Sequence, residues 1–391
     1  MNWELFSFEF QLNQMDIFHE LIDIEAYKRA AVNLVLPADW KEQLDKLNRV
    51  RAVHGTTALE GNPLSEAEVS QQMELLENPQ AGAVQRASKE QLQIRNSGIA
   101  QSWVRLRFQK EHPPLQLSDI LHMHKTITEA SDEKDNVPGR FRTFPVVVGS
   151  DEIGGVHKGA PHEQLQRLME EYIQFVNSRH MQAQHPVIRA LLSHFFLVTI
   201  HPFGDGNGRV SRLVESGILF GGEYNVHGFY GLSNYFYRNE SEYKTLLQDC
   251  RKTQPFNVTP FIVFGLKGFA EELKGINNFI KTKLNRVVYR TMLVRAFNKR
   301  TGDRRRLINQ REYNLLDFLL NESEPLDPFS ESSSKKIKFA EIREMPFIKT
   351  LYGDVTARTF YRELIRLAGL GFIRFGKEVA LELDLTAIGK Y

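Results

Sequence analysis

A glycine-rich loop between two apolar segments constrains this chain more than any other feature. Residues 187–199 are mostly apolar, and a second apolar segment begins at Arg209. Between them lies His201-Pro-Phe-Gly-Asp-Gly-Asn-Gly208. Glycines just before a helix let backbone N–H groups converge on an anion, and the helix N-terminus adds the positive end of its dipole. The pattern therefore predicts two apolar helices joined by an anion-binding loop.

Side chains around this loop suit a polyphosphate. Arg209 and Arg212 are three residues apart, so both extend from one helical face, and each guanidinium can bind a phosphate through two hydrogen bonds. Asp205 can hold Mg²⁺, which takes a carboxylate together with phosphate oxygens. His201 stands across the loop as a candidate general base. Other nucleotide motifs do not fit, because no Gly-Lys-Ser/Thr follows a glycine loop and Arg209 replaces the third glycine of a dinucleotide fingerprint.

The string from His201 to Arg212 resembles the motif of the Fic family. That motif reads His-x-Phe-x-Asp/Glu-Gly-Asn-Gly-Arg-x-x-Arg, and the chain matches every specified position. Pro138-Gly-Arg-Phe-Arg142, followed by Val146-Val-Val-Gly149, looks like the flap hairpin of the family. Thr56-Thr-Ala-Leu-Glu-Gly61 matches its N-terminal inhibitory motif, Ser/Thr-x-x-x-Glu-Gly/Asn. The resemblance covers roughly residues 1–280.

A further segment, from Tyr235 to Tyr243, resembles the part of the family that packs near adenine. Asn239 stands at the position of the family's common asparagine, whereas Glu240 replaces the usual arginine that follows it. The resemblance therefore places Tyr235 and Asn239 in an ATP site and leaves no such role for the side chain at 240.

The resemblance implies a protein adenylyltransferase, which moves AMP from ATP to Ser, Thr or Tyr hydroxyls of a protein target and of itself and releases pyrophosphate. His201 would remove the hydroxyl proton, and Asp205 would hold Mg²⁺ against the α- and β-phosphates. Further contacts with the phosphates would come from the loop and the helix after it: Gly206, Asn207, Gly208, Arg209 and Arg212.

The resemblance also implies target docking and regulation. The flap would align a target segment by adding it as an edge strand, through Val146, Val147, Val148 and Gly149. The inhibitory residues would be Thr56, Glu60 and Gly61. Glu60 would pair with Arg212 at two points and put a carboxylate where the γ-phosphate should lie, so that ATP binds out of line for attack. Glu60 is also a candidate for positioning water during removal of AMP.

Helical patterns dominate, so we expect a mainly α fold: a Fic-type helical core with a β-hairpin flap, plus a small C-terminal winged-helix domain. Residues 1–36 predict one or two amphipathic helices, and residues 138–161 predict the hairpin. Helices near 337–351 and 356–368 precede an alternating, hairpin-like end. The expected divisions are N-terminal helices with the inhibitory motif (1–110), a catalytic core (111–280), a basic helical neck (281–311) and a winged-helix-like domain (312–391).

Composition restricts the location and the partners. The sequence contains no run of about 18 apolar residues, so it predicts no membrane span. Its first residues lack the basic region and the cleavage site of a signal peptide. The single cysteine, Cys250, excludes an internal disulfide and fits a reducing cytoplasm. We therefore expect a cytoplasmic protein that binds ATP and a protein target and no membrane; a homodimer is also considered.

Two other functions stay open at this point. The segment 281–311 carries eleven Lys or Arg residues against one acid, a charge of +10 that could follow a nucleic-acid backbone or be a solvated helix. With the winged-helix pattern, it favours a DNA-binding regulator whose Fic core senses a nucleotide, although the intact His201 and Asp205 oppose that interpretation. The second alternative function is the transfer of a phosphate-containing group other than AMP.

Overall fold

The structure is a computed structural model of the chain, and it describes residues 3–77, 87–110, 113–130, 136–150, 155–229, 231–301, 305–375 and 380–385. The chain divides into two compact units, Met1–Leu273 and Lys274–Tyr391. Both consist mainly of helices with short strands, so the predicted mainly α fold is confirmed. No helix within the described ranges is long and apolar enough to cross a membrane.

The first unit contains eleven complete helices among its described residues and the beginning of a twelfth. They are α1 (Gln14–Val32), α2 (Ala38–Ala58), α3 (Glu66–Glu77), α4 (Lys89–Phe108), α5 (Leu117–Thr128), α6 (Leu165–Val176), α7 (Arg179–Gln182), α8 (Pro186–Ile200), α9 (Asn207–Gly221), α10 (Ser233–Arg238), α11 (Glu240–Cys250) and α12 (Thr259–Asn298). Its strands form two pairs, β1 (Phe10–Gln11) with β4 (Phe256–Asn257) and β2 (Val147–Ser150) with β3 (Gly155–Lys158).

The pair α8 and α9 forms the centre of this unit. Every residue of α8 is buried except Pro186 and Arg189, and α9 is buried from Arg209 to Phe220. Helices α4 and α5 pack against α9, and α6 packs against α8. The two apolar segments predicted from the sequence are therefore the core helices, and the loop that joins them is fixed at both ends.

The predicted flap hairpin is present as the antiparallel pair β2–β3. Val147 is opposite Lys158, and Ser150 is opposite Gly155. The residues that join the two strands, 151–154, lie outside the described residues.

The prediction of helix throughout residues 1–36 was wrong for the first part of the segment. Helix α1 begins only at Gln14, capped by the Asn13 side chain, and β1 before it pairs in parallel with β4. Phe6, Phe8 and Phe10 alternate along this stretch and pack against the Phe196 ring at centroid distances of 6.5, 5.2 and 6.5 Å. Alternation of period two places all three rings on one side of an extended backbone.

The second unit contains the end of α12 and four further helices, α13 (Gln310–Glu322), α14 (Phe339–Glu344), α15 (Pro346–Leu351) and α16 (Ala357–Gly369). A two-stranded pair, β5 (Arg300–Thr301) and β6 (Arg305–Arg306), follows α12. A three-stranded antiparallel sheet has the order β7 (Ile337–Lys338), β9 (Ala380–Leu383), β8 (Ile373–Phe375). Its wing-like strand pair agrees with the hairpin pattern, and the winged-helix assignment stays a prediction.

The single helix predicted over 337–351 was wrong. Residues 337–338 form β7, and the helix after it is divided because Pro346 lacks a backbone N–H and forces the preceding Met345 into an extended conformation, with φ −63° and ψ 129°.

Several cations of the basic segment 281–311 have partners within the second unit. Lys283 Nζ lies 3.2 Å from Glu324 Oε1, and Arg290 Nε lies 3.5 Å from Asp317 Oδ1. Arg311 forms an ion pair with Glu363. Within this segment α12 ends at Asn298 and α13 begins at Gln310, so it is not one continuous helix. Its excess positive charge is partly neutralised by acids that come later in the chain.

Candidate active site

The loop between α8 and α9 turns through two residues with left-handed backbone conformations. His201 ends α8 with φ 56° and ψ 61°, and Gly206 precedes α9 with φ 79°. A left-handed conformation costs little for glycine but is uncommon for histidine, so the surrounding contacts must hold His201 there.

Asn207 closes the loop on itself. Its Oδ1 accepts a hydrogen bond from the Phe203 N–H, and its Nδ2 donates to the Phe203 carbonyl, both at 2.9 Å. Phe203 is fully buried and stacks on His124 of α5, with ring centroids 3.8 Å apart. The His124 Nδ1 accepts from the Gly139 N–H at 3.0 Å, so its Nε2 carries a proton and donates to the Asp205 carbonyl at 3.1 Å. The anion loop is therefore fixed by side chains as well as by its two helices.

Both arginines of the motif are buried, and each forms an ion pair with a carboxylate. Arg209 Nη2 donates to Asp205 Oδ2 at 2.6 Å. Arg212 Nη2 donates to Glu60 Oε1 at 2.6 Å and to the Thr56 carbonyl at 3.1 Å, while its Nε donates to Thr56 Oγ1 at 2.7 Å. The expected contact between Glu60 and Arg212 is present through one arginine nitrogen rather than two, because the Thr56 hydroxyl accepts from Nε.

Glu60 reaches this position because α2 ends beside the loop. Gly61, with φ 83°, turns the chain just after it, and Gly208 leaves space for it, since a Cβ at 208 would lie 2.5 Å from Glu60 Oε1. Desolvation alone would raise the pKa of Glu60, but the charges of Arg212 and Arg209 outweigh it and leave the pKa below its usual value. Glu60 is therefore a carboxylate at neutral pH.

His201 has the protonation state of a general base. Desolvation lowers its pKa to about 4, and the charges of Arg251 and Arg142 add to that effect. Its Nδ1 lies 3.3 Å from the Val198 carbonyl, which fixes the proton on Nδ1 and leaves the lone pair on Nε2. A neutral imidazole with a free Nε2 can accept a proton from a substrate hydroxyl.

A cavity of about 260 Å³ brings these groups together. Its lining includes motif, inhibitory and flap residues that are far apart in the chain: Glu60, Val148, Gly149, His201, Gly208 and Arg212. Tyr243, Lys244, Gln248 and Arg251 also line it, and the sequence analysis gave none of them a role. Helix α11 presents Tyr243, Lys244 and Gln248 to the cavity, and Arg251 follows directly after the helix. No motif signal marked them beforehand, because their place depends on how α11 packs.

Tyr235 and Asn239 do not line this cavity. Tyr235 is buried on α10, with its ring 5.0 Å from that of Phe264, and a Cβ at Gly268 would lie 2.2 Å from it. The Asn239 Nδ2 donates to the Tyr235 carbonyl at 3.0 Å. Both residues therefore make contacts that support α10 in this structure.

The flap has one exposed strand and an anchored base. Val147 of β2 is 61% exposed, and among the described strands β2 pairs with β3 alone, so its other edge carries no strand. Gln248 Nε2 donates to the carbonyls of Val148 and Gly155 at 3.4 and 3.1 Å, which joins α11 to both strands. Val146 precedes the strand, and its carbonyl accepts from the Gly159 N–H at 3.1 Å.

Arg142 connects the two ends of the flap hairpin to the backbone of His201. Its guanidinium donates to three backbone carbonyls, those of His201 at 2.8 Å, Phe144 at 2.6 Å and Ala160. Phe144 precedes β2, and Ala160 follows β3. The residue is 4% exposed, and desolvation lowers its pKa. One buried cation thus joins both ends of the hairpin to the left-handed residue that carries the imidazole.

Comparison with known proteins agrees with this geometry. The profile of the Fic/DOC family matches residues 114–219, which include α8, α9 and the loop between them. The chain carries a Fic domain. It is 32% identical over 167 residues to the protein adenylyltransferase Fic of Drosophila ananassae, and 31% identical over 170 residues to the protein adenylyltransferase fic-1 of Caenorhabditis briggsae. Each match covers 43% of this chain and 31% of the relative, so the chain spans about a third of the length of these relatives.

Solved structures share the fold of the Fic domain. A Fic family protein from Desulfovibrio desulfuricans G20 aligns with a TM-score of 0.55 and 16% identity, over 95% of this chain and 97% of that chain. Fic-1 of Caenorhabditis elegans aligns with a TM-score of 0.54 and 21% identity, over 69% of this chain and 74% of that chain. At these identities the similarity concerns the fold.

The lowered pKa of His201 predicts a neutral imidazole throughout the physiological range. Because the pKa is about 4 in the folded chain and about 6.5 in an unfolded one, the folding stability that this group contributes is complete above pH 6.5 and is lost as the pH falls towards 4. In NMR spectra, the ring signal that disappears in His201→Asn should not titrate between pH 8 and pH 6. A titration midpoint near 6.5 would contradict this environment.

The contacts of Arg142 predict that its geometry matters as well as its charge. Arg142→Lys keeps the cation but cannot reach three carbonyls at once, so it should lower the free energy of unfolding by about 1–3 kcal/mol. Hydrogen exchange at 155–158 should also become faster. Arg140→Lys, a change at an exposed arginine two residues away, is the matched control. Equal exchange rates in the two variants would show that Arg142 does not support the flap.

Proposed function

We propose that this chain is a protein adenylyltransferase, which moves AMP from ATP to a Ser, Thr or Tyr hydroxyl of a protein. The observation that carries the proposal is the 260 Å³ cavity, in which a neutral His201, the anion loop at Gly208 and the Arg212 guanidinium face the edge of the flap. A base, an oxyanion site and a polyphosphate site within one cavity suit phosphoryl-group chemistry. The names of the Drosophila and Caenorhabditis relatives agree with this class of reaction.

In the proposed reaction, His201 Nε2 takes the proton of the target hydroxyl. The hydroxyl oxygen attacks the α-phosphorus of ATP, and the bond to the bridging oxygen breaks. Pyrophosphate leaves with that electron pair. The N–H groups at the start of α9, around Gly206, Asn207 and Gly208, would stabilise the negative charge that develops on the α-phosphate, because the first N–H groups of a helix have no partner within it.

The phosphates of ATP would be oriented by Arg209 and Arg212. Both guanidinium groups are already desolvated, so a phosphate meets them at little cost in lost hydration. To bind a phosphate fully, Arg212 must exchange its contact with Glu60 for one with the ligand.

Mg²⁺ fits the donor chemistry of Asp205. The side chain is 30% exposed, and only its Oδ2 is engaged by Arg209, so a hard oxygen faces the loop. Among the described residues no cluster of three or more His, Cys, Asp or Glu could enclose a metal, which agrees with an ion held by one carboxylate and by substrate phosphates. Bound there, Mg²⁺ would offset the negative charge of the phosphate oxygens.

The target would bind along β2. An extended segment can add to the exposed edge of this strand through backbone hydrogen bonds, with little dependence on its own sequence. Val147 and Val148 would then bring the target hydroxyl towards His201. In this docking mode, residues 146–149 would form the part of the site that binds the target.

Glu60 would inhibit the reaction. Its carboxylate occupies the Arg212 nitrogen that a γ-phosphate needs, and it would repel the phosphate, so ATP would bind with its α-phosphorus out of line. The Thr56 hydroxyl and carbonyl strengthen the inhibited arrangement, because they hold Arg212 against the end of α2. Glu60 would also orient water for removal of AMP, and the cavity that it shares with His201 supports this role.

The alternative of transferring another phosphate-containing group rests on the same cavity. The residues described above would contact the phosphates of a nucleotide and the target hydroxyl, so they do not distinguish one nucleobase from another. Incubation with labelled ATP, GTP, CTP and UTP in parallel separates these substrates. The DNA-binding alternative has less support, because Lys283, Arg290 and Arg311 have acidic partners in their own unit.

The role of His201 predicts the outcome of removing it. His201→Ala should lower AMP incorporation by about 10²–10⁴-fold, because the hydroxyl loses its base. ATP affinity measured by calorimetry should stay within a few-fold of wild type, since the arginines and the loop are untouched. AMP transfer at the wild-type rate by this variant would exclude the proposed mechanism.

The contact between Glu60 and Arg212 predicts activation on its removal. Glu60→Gly should raise AMP incorporation into the chain itself and into added protein by about tenfold or more, because each 1.4 kcal/mol of relieved competition is worth tenfold. Glu129→Gly, which removes another exposed acid just after a helix, is the matched control and should leave incorporation unchanged. Equal or lower incorporation by Glu60→Gly, with ATP still bound, would refute inhibition by this residue.

A further inference from the structure

Buried polar atoms without a partner gather around one small cavity between α4 and α9. They are Arg209 Nε, Arg209 Nη1, Gln101 Oε1, Ser97 Oγ and Ser216 Oγ. The four residues are between 2% and 5% exposed, and all four line the same cavity. The cavity thus joins an arginine of the proposed ATP site to two residues of α4, Ser97 and Gln101, that have no role in the motif.

Such a cluster needs a ligand. A buried polar group without a hydrogen bond loses the interaction that it had with water in the unfolded chain and gains nothing in return. Native structures contain few such groups, and an ordered water or ion usually explains them. Here several occur together around one space, which points to a single shared occupant rather than to unrelated defects.

The size of the cavity restricts the occupant. It offers about 10 Å³ to the centre of a water molecule. That is close to the volume of roughly 10–15 Å³ that one buried water needs, and such a water requires two to four polar partners. An organic molecule or a phosphate does not fit in this space.

The hydrogen-bond donors and acceptors that line the cavity favour water over an ion as its occupant. Arg209 offers N–H donors, Gln101 Oε1 offers only an acceptor, and the hydroxyls of Ser97 and Ser216 can do either. A water molecule can accept from Arg209 and donate to Gln101. A halide ion could satisfy Arg209, but it would face the Gln101 oxygen with like charge.

We propose that this cavity holds one structural water, which bridges Arg209 to Gln101 and makes Gln101 a positioning residue for the arginine. Asp205 fixes one guanidinium nitrogen from the loop side, and the water fixes the group from the side of α4. The orientation of Arg209 towards a polyphosphate then depends on α4. This consequence for ATP rests on the proposed function, whereas the water itself does not.

The first experiment is a high-resolution crystal structure of the full chain, grown once with chloride and once with bromide. The expected result is a density peak within 3.2 Å of both an Arg209 nitrogen and Gln101 Oε1, with no anomalous signal from the bromide crystals. An empty cavity would overturn the proposal, and so would a bromide signal in it. Neither outcome depends on whether the chain uses ATP.

The second experiment measures ATP affinity by calorimetry in the full chain carrying Glu60→Gly. Gln101→Met keeps the length of the side chain but removes the acceptor, and it should raise the Kd for ATP about tenfold, the effect of losing one hydrogen bond to a charged group. Gln109→Met, at the exposed end of the same helix, is the matched control and should leave the Kd unchanged.

The two readouts separate positioning from stability. If Gln101→Met lowers the melting temperature but leaves the Kd for ATP unchanged, Gln101 is structural and does not position Arg209. Ser97→Ala, a smaller change on the same cavity, decides the matter if Gln101→Met does not fold. If the parent chain binds no ATP, the proposed function fails, and the crystal structures still decide whether the water is present.

Discussion

The packing of α8 against α9 is the constraint on which the rest of the first unit depends. Both helices are buried over almost their whole length, so the loop that joins them must turn within a few residues in the interior of the fold. The left-handed conformations of His201 and Gly206 achieve that turn. Asn207 and the stacking of Phe203 on His124 then remove the remaining freedom. The positions of the base and of the anion loop are therefore consequences of core packing.

Burial also explains why Arg212 couples the fold to control of the site. A guanidinium inside a protein needs acceptors, and α2 supplies them through Thr56 and Glu60. A bound polyphosphate is an alternative acceptor for the same nitrogen atoms. In the proposed function these two partners would exclude each other, so the interaction that satisfies the arginine in the free chain would oppose ATP. Such regulation would require no separate domain, since Glu60 lies just after the end of α2, a helix packed on the core.

The flap combines an exposed strand with contacts that anchor it to the interior. Its outer strand is exposed, but its base is tied to the interior by Arg142 and its inner face by Gln248. An edge strand that accepts a target segment must stay accessible and must still lie at a defined distance from His201. The exposure of β2 meets the first requirement, and the three carbonyl contacts of Arg142 meet the second, because they join the hairpin to His201.

The sequence by itself determined the local parts of this protein: the two apolar helices, the glycine loop, the arginines on one helical face, the hairpin and the end of α2 at Glu60 and Gly61. These follow from spacing along a few neighbouring residues. Only the tertiary structure decided that residues 3–11 are extended, because the Phe rings find partners on helices far along the chain. It also decided that Gln248 and Arg251 line the cavity with His201, that Gln101 lies beside Arg209, and that Tyr235 and Asn239 contact each other and support α10. Which side chains meet across helices depends on packing, and packing joins residues whose separation in the sequence carries no periodic signal.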